Sequence, residues 1–198
     1  KYNAGNIYSV VNALGRLGVE PVITDSPEEL AKASHVIFPG QGSAQTTMRY
    51  LRQHGLDNVI RSLRQPVLGI CVGQQLLCAH SDEGDVDCVG IFPENVRKFT
   101  PDDHELKVPE MGWNRLRDIK SPLFKGVKEG DYVYFVHSFY VPTCEFTIAT
   151  ADYSVPYSAA LRRDNFWAVQ FHPEKSGAVG ELILRNFLEM DPSKEKDE

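Results

Sequence analysis

Three groups of residues in this chain have the types and spacing to carry out acyl transfer. Cys71 stands between Gly69 and Gly73, where the apolar run Val67–Ile70 gives way to a helical pattern beginning at Val72. A strand that turns sharply into a helix through glycine-x-cysteine-x-glycine lifts the central side chain clear of the sheet, as in a nucleophile elbow. The free amides and positive dipole end of the following helix favour the thiolate, which is the nucleophilic form. The bland alternative is a small buried hydrophobe in a core strand. Cys78, without flanking glycines, reads as packing in the body of that helix.

A thiolate nucleophile needs a partner that accepts and returns a proton, and imidazole suits that task near neutral pH. His172 ends a second apolar run, residues 167–171, so it can stand at the sheet rim where an elbow also emerges. Pro173 keeps the chain extended there, and Glu174 can then hold one ring nitrogen and stabilise the imidazolium. Alone, His-Pro-Glu reads as a structural or solvated strand end more often than as a catalytic one; pairing with Cys71 gives it chemical meaning. The third group, PGQGS at 39–43, follows the apolar run 35–38. A tetrahedral oxyanion needs two donors, which the Val72 amide and the 40–42 turn could provide. The same loop also fits an ordinary strand-to-helix connection, or a weak phosphate loop without the Walker lysine.

These residues need a scaffold. Apolar positions at three- and four-residue spacing predict a helix over residues 6–17, ended by Gly18. Runs at 21–24 and 35–38 read as strands around a helix that starts at Ser26-Pro27. A helix over 44–63 and a strand over 67–70 follow, and such alternation predicts a parallel α/β sheet. Later segments at 89–99, 112–116, 132–136, 147–151, 159–162 and 167–171 are short and β-rich, which predicts a smaller antiparallel or mixed portion. A last helix is expected over 180–190. Residues 1–190 thus read as one domain, and 191–198 as a charged, disordered tail. A doubly wound domain usually opens with a strand, whereas this chain opens almost directly into a helix. The first strand is therefore expected to be absent from this sequence, leaving an exposed sheet edge.

Composition removes several function classes. The 198 residues include 21 basic and 27 acidic side chains, a net charge of -6, which disfavours a broad nucleic-acid footprint. No run approaches the ~18 apolar residues of a membrane span, and the start lacks a secretory pattern, so a soluble cytoplasmic protein is expected. The four cysteines form no C-x-x-C pair and the six histidines no ligand pair, so neither a metal nor an organic cofactor is expected.

The order of glycine loop, cysteine elbow and late His-x-Glu resembles the class I glutamine amidotransferases along the whole chain. AGN at 4–6, PEMGWN at 109–114, YFVHS at 134–138 and QFHPEKSG at 170–177 narrow the resemblance to the glutaminase subunits of imidazole glycerol phosphate synthases. It implies the class I amidotransferase fold and hydrolysis of L-glutamine to glutamate and ammonia. The implied partner is a cyclase subunit with a (β/α)8 barrel, joined as a heterodimer, which makes imidazole glycerol phosphate and AICAR in histidine biosynthesis. It also implies roles: Cys71 as acylated nucleophile, His172 as acid and base, and Glu174 as orienting carboxylate. Gln75, Gly42, His137 and Ser138 would hold the substrate, with the amides of Val72 and Gln41 facing the oxyanion. Asn6, Trp113, Asn114 and Lys175 would face the partner. By itself Trp113 reads as a core residue of a β segment.

The chain departs from the common family pattern at Gln41, Gln74, Glu110 and Phe139. Within the same fold, the rivals are an amidotransferase subunit of another synthase and a binding subunit that has lost turnover. A general cysteine hydrolase is the rival outside the family.

Overall fold

In the computed structural model, residues 7–40, 42–102 and 106–191 are described. The chain runs through α1 (Ile7–Arg16), α2 (Pro27–Lys32), β1 (Val36–Pro39), α3 (Ala44–Gln53), α4 (Leu56–Ser62), β2 (Val67–Ile70) and α5 (Val72–Leu76). The strands β3 (Cys78–Ser81), β4 (Val86–Asp87), β5 (Phe92–Lys98), β6 (Glu110–Arg115), β7 (Tyr132–His137) and β8 (Phe139–Tyr140) come next. They are followed by β9 (Thr147–Tyr153), β10 (Val155–Arg163), β11 (Phe166–Val169) and α6 (Gly177–Leu188).

The main sheet has the order β1-β2-β11-β10-β9. β2 pairs in parallel with both β1 and β11, while β10 is antiparallel to β11 and β9. All four residues of β2 are buried, as a strand covered on both faces requires. Alternation then sorts the core into two layers. Leu68, Ile70, Trp167 and Val169 pack with α1 and α6 through Val10, Leu14, Ile183, Leu184 and Phe187. On the opposite face Val67, Phe166 and Ala168 pack with Met48, Leu51, Leu56 and Ile60 of α3 and α4. Each fully buried Leu, Ile or Phe contributes about 2 kcal/mol of transfer free energy, and together they fix the strand ends that carry the site. The predicted mixed portion is a four-stranded sheet, β4-β3-β5-β8, beside the β6-β7 pair.

Three expectations are corrected. Residues 21–24 form no strand: they carry no ladder bonds, and Val22 and Ile23 are exposed by 77% and 42%. Among the described residues β1 is accordingly the edge of the sheet, and its residues line an apolar cleft of about 570 Å³ with Val10, Val19 and Ile23. The helix expected over 44–63 is two helices, because Gly55 takes a left-handed φ of 66° between them. The helix after the elbow is only five residues long. Cys78 therefore lies not in a helix but at the start of β3, where the chain leaves the elbow to pair with Phe92. The expectations for residues 1–5 and for the tail from 192 lie outside the described residues.

Close backbone packing ties the elbow to its neighbour. A Cβ on Gly73 would lie 2.0 Å from the Phe38 carbonyl oxygen, and one on Gly40 would lie 2.2 Å from the Val72 Cβ. Only hydrogen fits in either place, so β1, the glycine loop and α5 approach at backbone contact. Gly73→Ala is expected to lower the unfolding free energy by about 3 kcal/mol or more. Gly15→Ala, in open space within α1, should be neutral or raise it by about 0.5–1 kcal/mol. Urea unfolding of the two variants beside the parent checks both.

Candidate active site

Three parallel strands end on one rim, and each delivers one of the groups singled out by spacing. β1 leads into the glycine loop, β2 into Cys71, and β11 into Gln170 and His172. Cys71 has φ 54° and ψ -111°, the strained backbone of an elbow, which costs roughly 1–3 kcal/mol in a residue with a Cβ. The Cys71 amide donates to the Val169 carbonyl at 2.8 Å, and the Gly40 amide donates to Ile70 at 3.1 Å. That second bond occupies the Gly40 N–H, so a loop donor for an oxyanion has to come from position 41 or 42. Gln41 lies outside the described residues; Gly42 has a φ of 76°, which glycine adopts without strain. Val72 is the first residue of α5, so its amide has no intrahelical acceptor.

His172 is extended, as a residue before proline should be, but Pro173–Lys175 then forms a turn of 3₁₀ helix rather than continuing the strand. The turn is what brings Glu174 back: its Oε1 lies 2.7 Å from His172 Nδ1. Ser176 fixes the turn, donating to the His172 carbonyl at 2.7 Å and accepting from the Tyr134 amide at 2.9 Å. With Nδ1 engaged, Nε2 is the nitrogen left for Cys71. Burial is the largest single influence on the imidazolium and works to lower its pKa. The hydrogen bonds and negative charges of Cys71 and Glu174 outweigh it and raise the pKa to about 9.

The other three thiols sit in different surroundings. Burial pushes Cys78 well above the ordinary thiol value, Cys88 to about 12, and Cys144 upward as well. Each is thus held as a neutral thiol, and their hydrogen-bond partners among the described residues are the Gln74 and Val86 carbonyls and Thr147 rather than a histidine.

Gln75 donates from Nε2 to both the Phe139 carbonyl and Gln170 Oε1, each at 2.9 Å. Both of its amide protons are engaged, so it can offer a ligand only its oxygen. The His137 ring is turned into the core, with Nδ1 2.7 Å from the Phe139 carbonyl and Nε2 2.9 Å from Glu110 Oε2. The His137 side chain is therefore not left to meet a ligand, whereas Ser138 beside it is half-buried. The strand before them reaches the sulfur, since the Cys71 thiol donates to the Val136 carbonyl at 3.6 Å. Two groups at the site escaped the sequence reading as contributors. One is the Val136 carbonyl, which no side-chain pattern reveals. The other is Gln170, fully buried, whose Nε2 donates to the Cys71 sulfur at 3.7 Å. Its signal was a lone amide in the otherwise apolar run 166–171.

Away from the sulfur, Trp113 is 56% and Met111 66% exposed, so the core reading of Trp113 is overturned. Register explains it: Glu110, Gly112 and Asn114 face inward from β6, and Met111, Trp113 and Arg115 outward. Asn114 bonds inward, to Glu110 Oε1 at 2.8 Å and the Asp152 carbonyl at 2.9 Å. Lys175 is exposed on the turn after His172. Asn6 lies outside the described residues. Among the described residues no helix is long and apolar enough to cross a membrane.

Residues 2–190 match the family described as glutamine amidotransferase class-I. Among curated proteins, the imidazole glycerol phosphate synthase subunit HisH of Bacteroides thetaiotaomicron is 60% identical, covering 96% of this chain and 97% of its own. The subunit HisH of Escherichia coli K12 is 46% identical over 93% and 94% of the two chains. A putative GMP synthase protein from Thermoplasma acidophilum has the same fold, with a TM-score of 0.73 at 20% identity over 95% of this chain and 89% of its own.

Two outcomes are expected. His172 should titrate near pH 9 by NMR, and Glu174→Gln should lower that midpoint by about one unit or more, since a supporting charge is lost. The sign for stability follows from the raised folded value: the contribution is complete below the ordinary 6.5 and lost as pH rises through about 9. Glu174→Gln should therefore flatten the fall in unfolding free energy across that window. Separately, Gln74 is fully buried, donates to the Ser158 carbonyl at 3.3 Å, and its Oε1 has no partner among the described residues. Gln74→Met removes that orphan and should raise stability by about 1 kcal/mol in urea unfolding.

Proposed function

This chain belongs to the class-I glutamine amidotransferase family, and from that premise we propose that it hydrolyses L-glutamine to L-glutamate and ammonia. The ammonia serves a partner subunit of imidazole glycerol phosphate synthase in histidine biosynthesis. The identity to subunits of that name, at nearly full length, supports this assignment over other synthases. The partner is a cyclase with a (β/α)8 barrel, its products are imidazole glycerol phosphate and AICAR, and the reaction belongs in the cytoplasm. One observation carries the chemistry: an elbow cysteine beside a buried histidine whose far nitrogen is held at 2.7 Å by a buried carboxylate.

In this mechanism the Cys71 thiolate attacks the side-chain amide carbon of glutamine. The His172 imidazolium gives its Nε2 proton to the departing ammonia, leaving a glutamyl thioester on sulfur. Water then attacks the thioester carbonyl as His172 takes its proton, and glutamate leaves as the thiolate re-forms. Glu174 fixes the Nδ1–H tautomer and offsets the imidazolium charge. The Val72 amide is one donor to both tetrahedral oxyanions, and the Gln41 amide is the other. Gln75 accepts from the substrate through Oε1, while Gly42 and the backbone of His137 and Ser138 hold its amino-acid end. Trp113, Lys175 and Asn6 face the partner, while Asn114, hydrogen-bonded inward to Glu110 and Asp152, supports β6 from behind rather than meeting the partner. An exposed tryptophan beside an exposed methionine suits a buried interface anchor.

The test is glutamate release by the chain alone, with purified cyclase subunit, and with that cyclase plus its nucleotide ligand. Release stimulated by the liganded partner and cut by about a thousandfold or more in Cys71→Ala is expected. Unchanged release in Cys71→Ala would remove the assignment.

A further inference from the structure

The side chain of Gln170 aims a hydrogen-bond donor at the nucleophile, and its orientation is dictated from the opposite wall of the site. Gln170 follows β11, is fully buried, and has a pinned backbone: its amide donates to the Ala159 carbonyl at 2.8 Å, and the His172 amide donates to the Tyr134 carbonyl at 2.9 Å. A half-turn of a carboxamide exchanges its oxygen for its nitrogen, so the neighbours must decide which end meets the sulfur. The Phe139 carbonyl can only accept, and the Gln75 atom 2.9 Å from it must therefore be nitrogen. That same nitrogen lies 2.9 Å from the Gln170 side chain, whose facing atom must then be oxygen, because two amide nitrogens would repel. The end of Gln170 that remains is its NH2 group, 3.7 Å from Cys71 Sγ. Only a backbone carbonyl and two carboxamides set this direction, so it does not depend on the protonation of any side chain.

The sulfur has use for such a donor. As a thiol, Cys71 donates to the Val136 carbonyl at 3.6 Å; as a thiolate it loses that bond and faces the negative end of the same carbonyl dipole. The titratable groups on its other side are His172 and, behind that ring, Glu174. Gln170 adds a neutral N–H to them. Hydrogen bonds to an ionised acceptor are about twice as strong as those between neutral groups, so this contact favours the thiolate over the thiol. We propose that Gln170 donates a hydrogen bond to the Cys71 thiolate and stabilises it for attack, its amide held in that direction by Gln75 and the Phe139 carbonyl. The reaction it serves is the glutaminase reading above, on which the proposal rests. No bond is made or broken at Gln170, and one side chain joins the nucleophile to Gln75, the residue that meets substrate.

The experiment follows alkylation of Cys71 by iodoacetamide against pH, reading the Cys71 peptide by mass spectrometry, in the parent chain and in Gln170→Met. Methionine keeps an unbranched side chain of similar length and removes both amide bonds. The midpoint of the pH–rate profile should move up by about one unit, a loss of about tenfold in rate on the acidic limb, with the two rates converging above it. The acidic limb of kcat/KM for glutamine, measured in complex with the liganded cyclase, should move by the same amount. A residue that only fills space or supports Gln75 would change stability or KM and leave the midpoints in place, so an unmoved midpoint in either profile would overturn the proposal. Should Gln170→Met fail to fold, Gln75→Met frees the Gln170 amide from its fixed direction; an alkylation midpoint raised by about half a unit supports the proposal, and an unchanged one overturns it. Alkylation needs neither glutamine nor partner, so it decides the role of Gln170 even where the parent complex releases no glutamate, a result that would refute the functional reading alone.

Discussion

The site depends on β2 being held as the middle of three parallel strands. Its neighbours end beside it, so the glycine loop after β1, the elbow after β2 and the histidine after β11 arrive at one rim. Two backbone bonds extend the ladder beyond the strands: the Cys71 amide reaches Val169, and the Gly40 amide reaches Ile70. The nucleophile is thus fixed by main-chain geometry before any side chain takes part. Ligand sites in open α/β sheets form at the carboxyl ends of parallel strands for this reason. The antiparallel strands β10 and β9 close the sheet on one side, and the glycine contacts between Phe38 and Gly73 close the elbow on the other.

On that frame, burial raises the energetic stakes of every polar group. His172 and Glu174 are both at least 91% buried, so each depends on the other for charge compensation. Glu110 of β6, His137 of β7 and Tyr157 of β10 form a second buried hydrogen-bonded cluster, on the strand that turns Met111 and Trp113 outward. One short strand therefore contributes to two surfaces. Its inner face anchors the hydrogen bonds behind Gln75, and its outer face offers the apolar side chains proposed to meet the cyclase. Pleating alone makes the separation.

Much of this was legible in the residues. The glycines around Cys71 imply an elbow because nothing larger fits, and the structure places Gly73 where a Cβ would come within 2.0 Å of the Phe38 oxygen. His172 and Glu174 could be paired from their place at the end of an apolar strand, although the turn that joins them was not foreseen. Local pattern misled where tertiary context decided. Residues 21–24 have strand-like composition without ladder bonds, and α5 ends after five residues because the chain leaves it to pair with β5. Trp113 looked like core until register turned it outward. The Glu110 network was illegible for a different reason: residues 110, 137 and 157 are distant along the chain, and only the folded β6-β7 ladder and β10 bring them together.

The most direct test of the central claim is the covalent intermediate. The partner-bound enzyme would be acid-quenched during turnover of glutamine and its cysteine peptides weighed by mass spectrometry. The account predicts a single glutamyl group on the peptide that carries Cys71, absent from Cys78, Cys88 and Cys144 and lost in Cys71→Ala. Glutamate release without any adduct on Cys71, or an adduct on another cysteine, would contradict it.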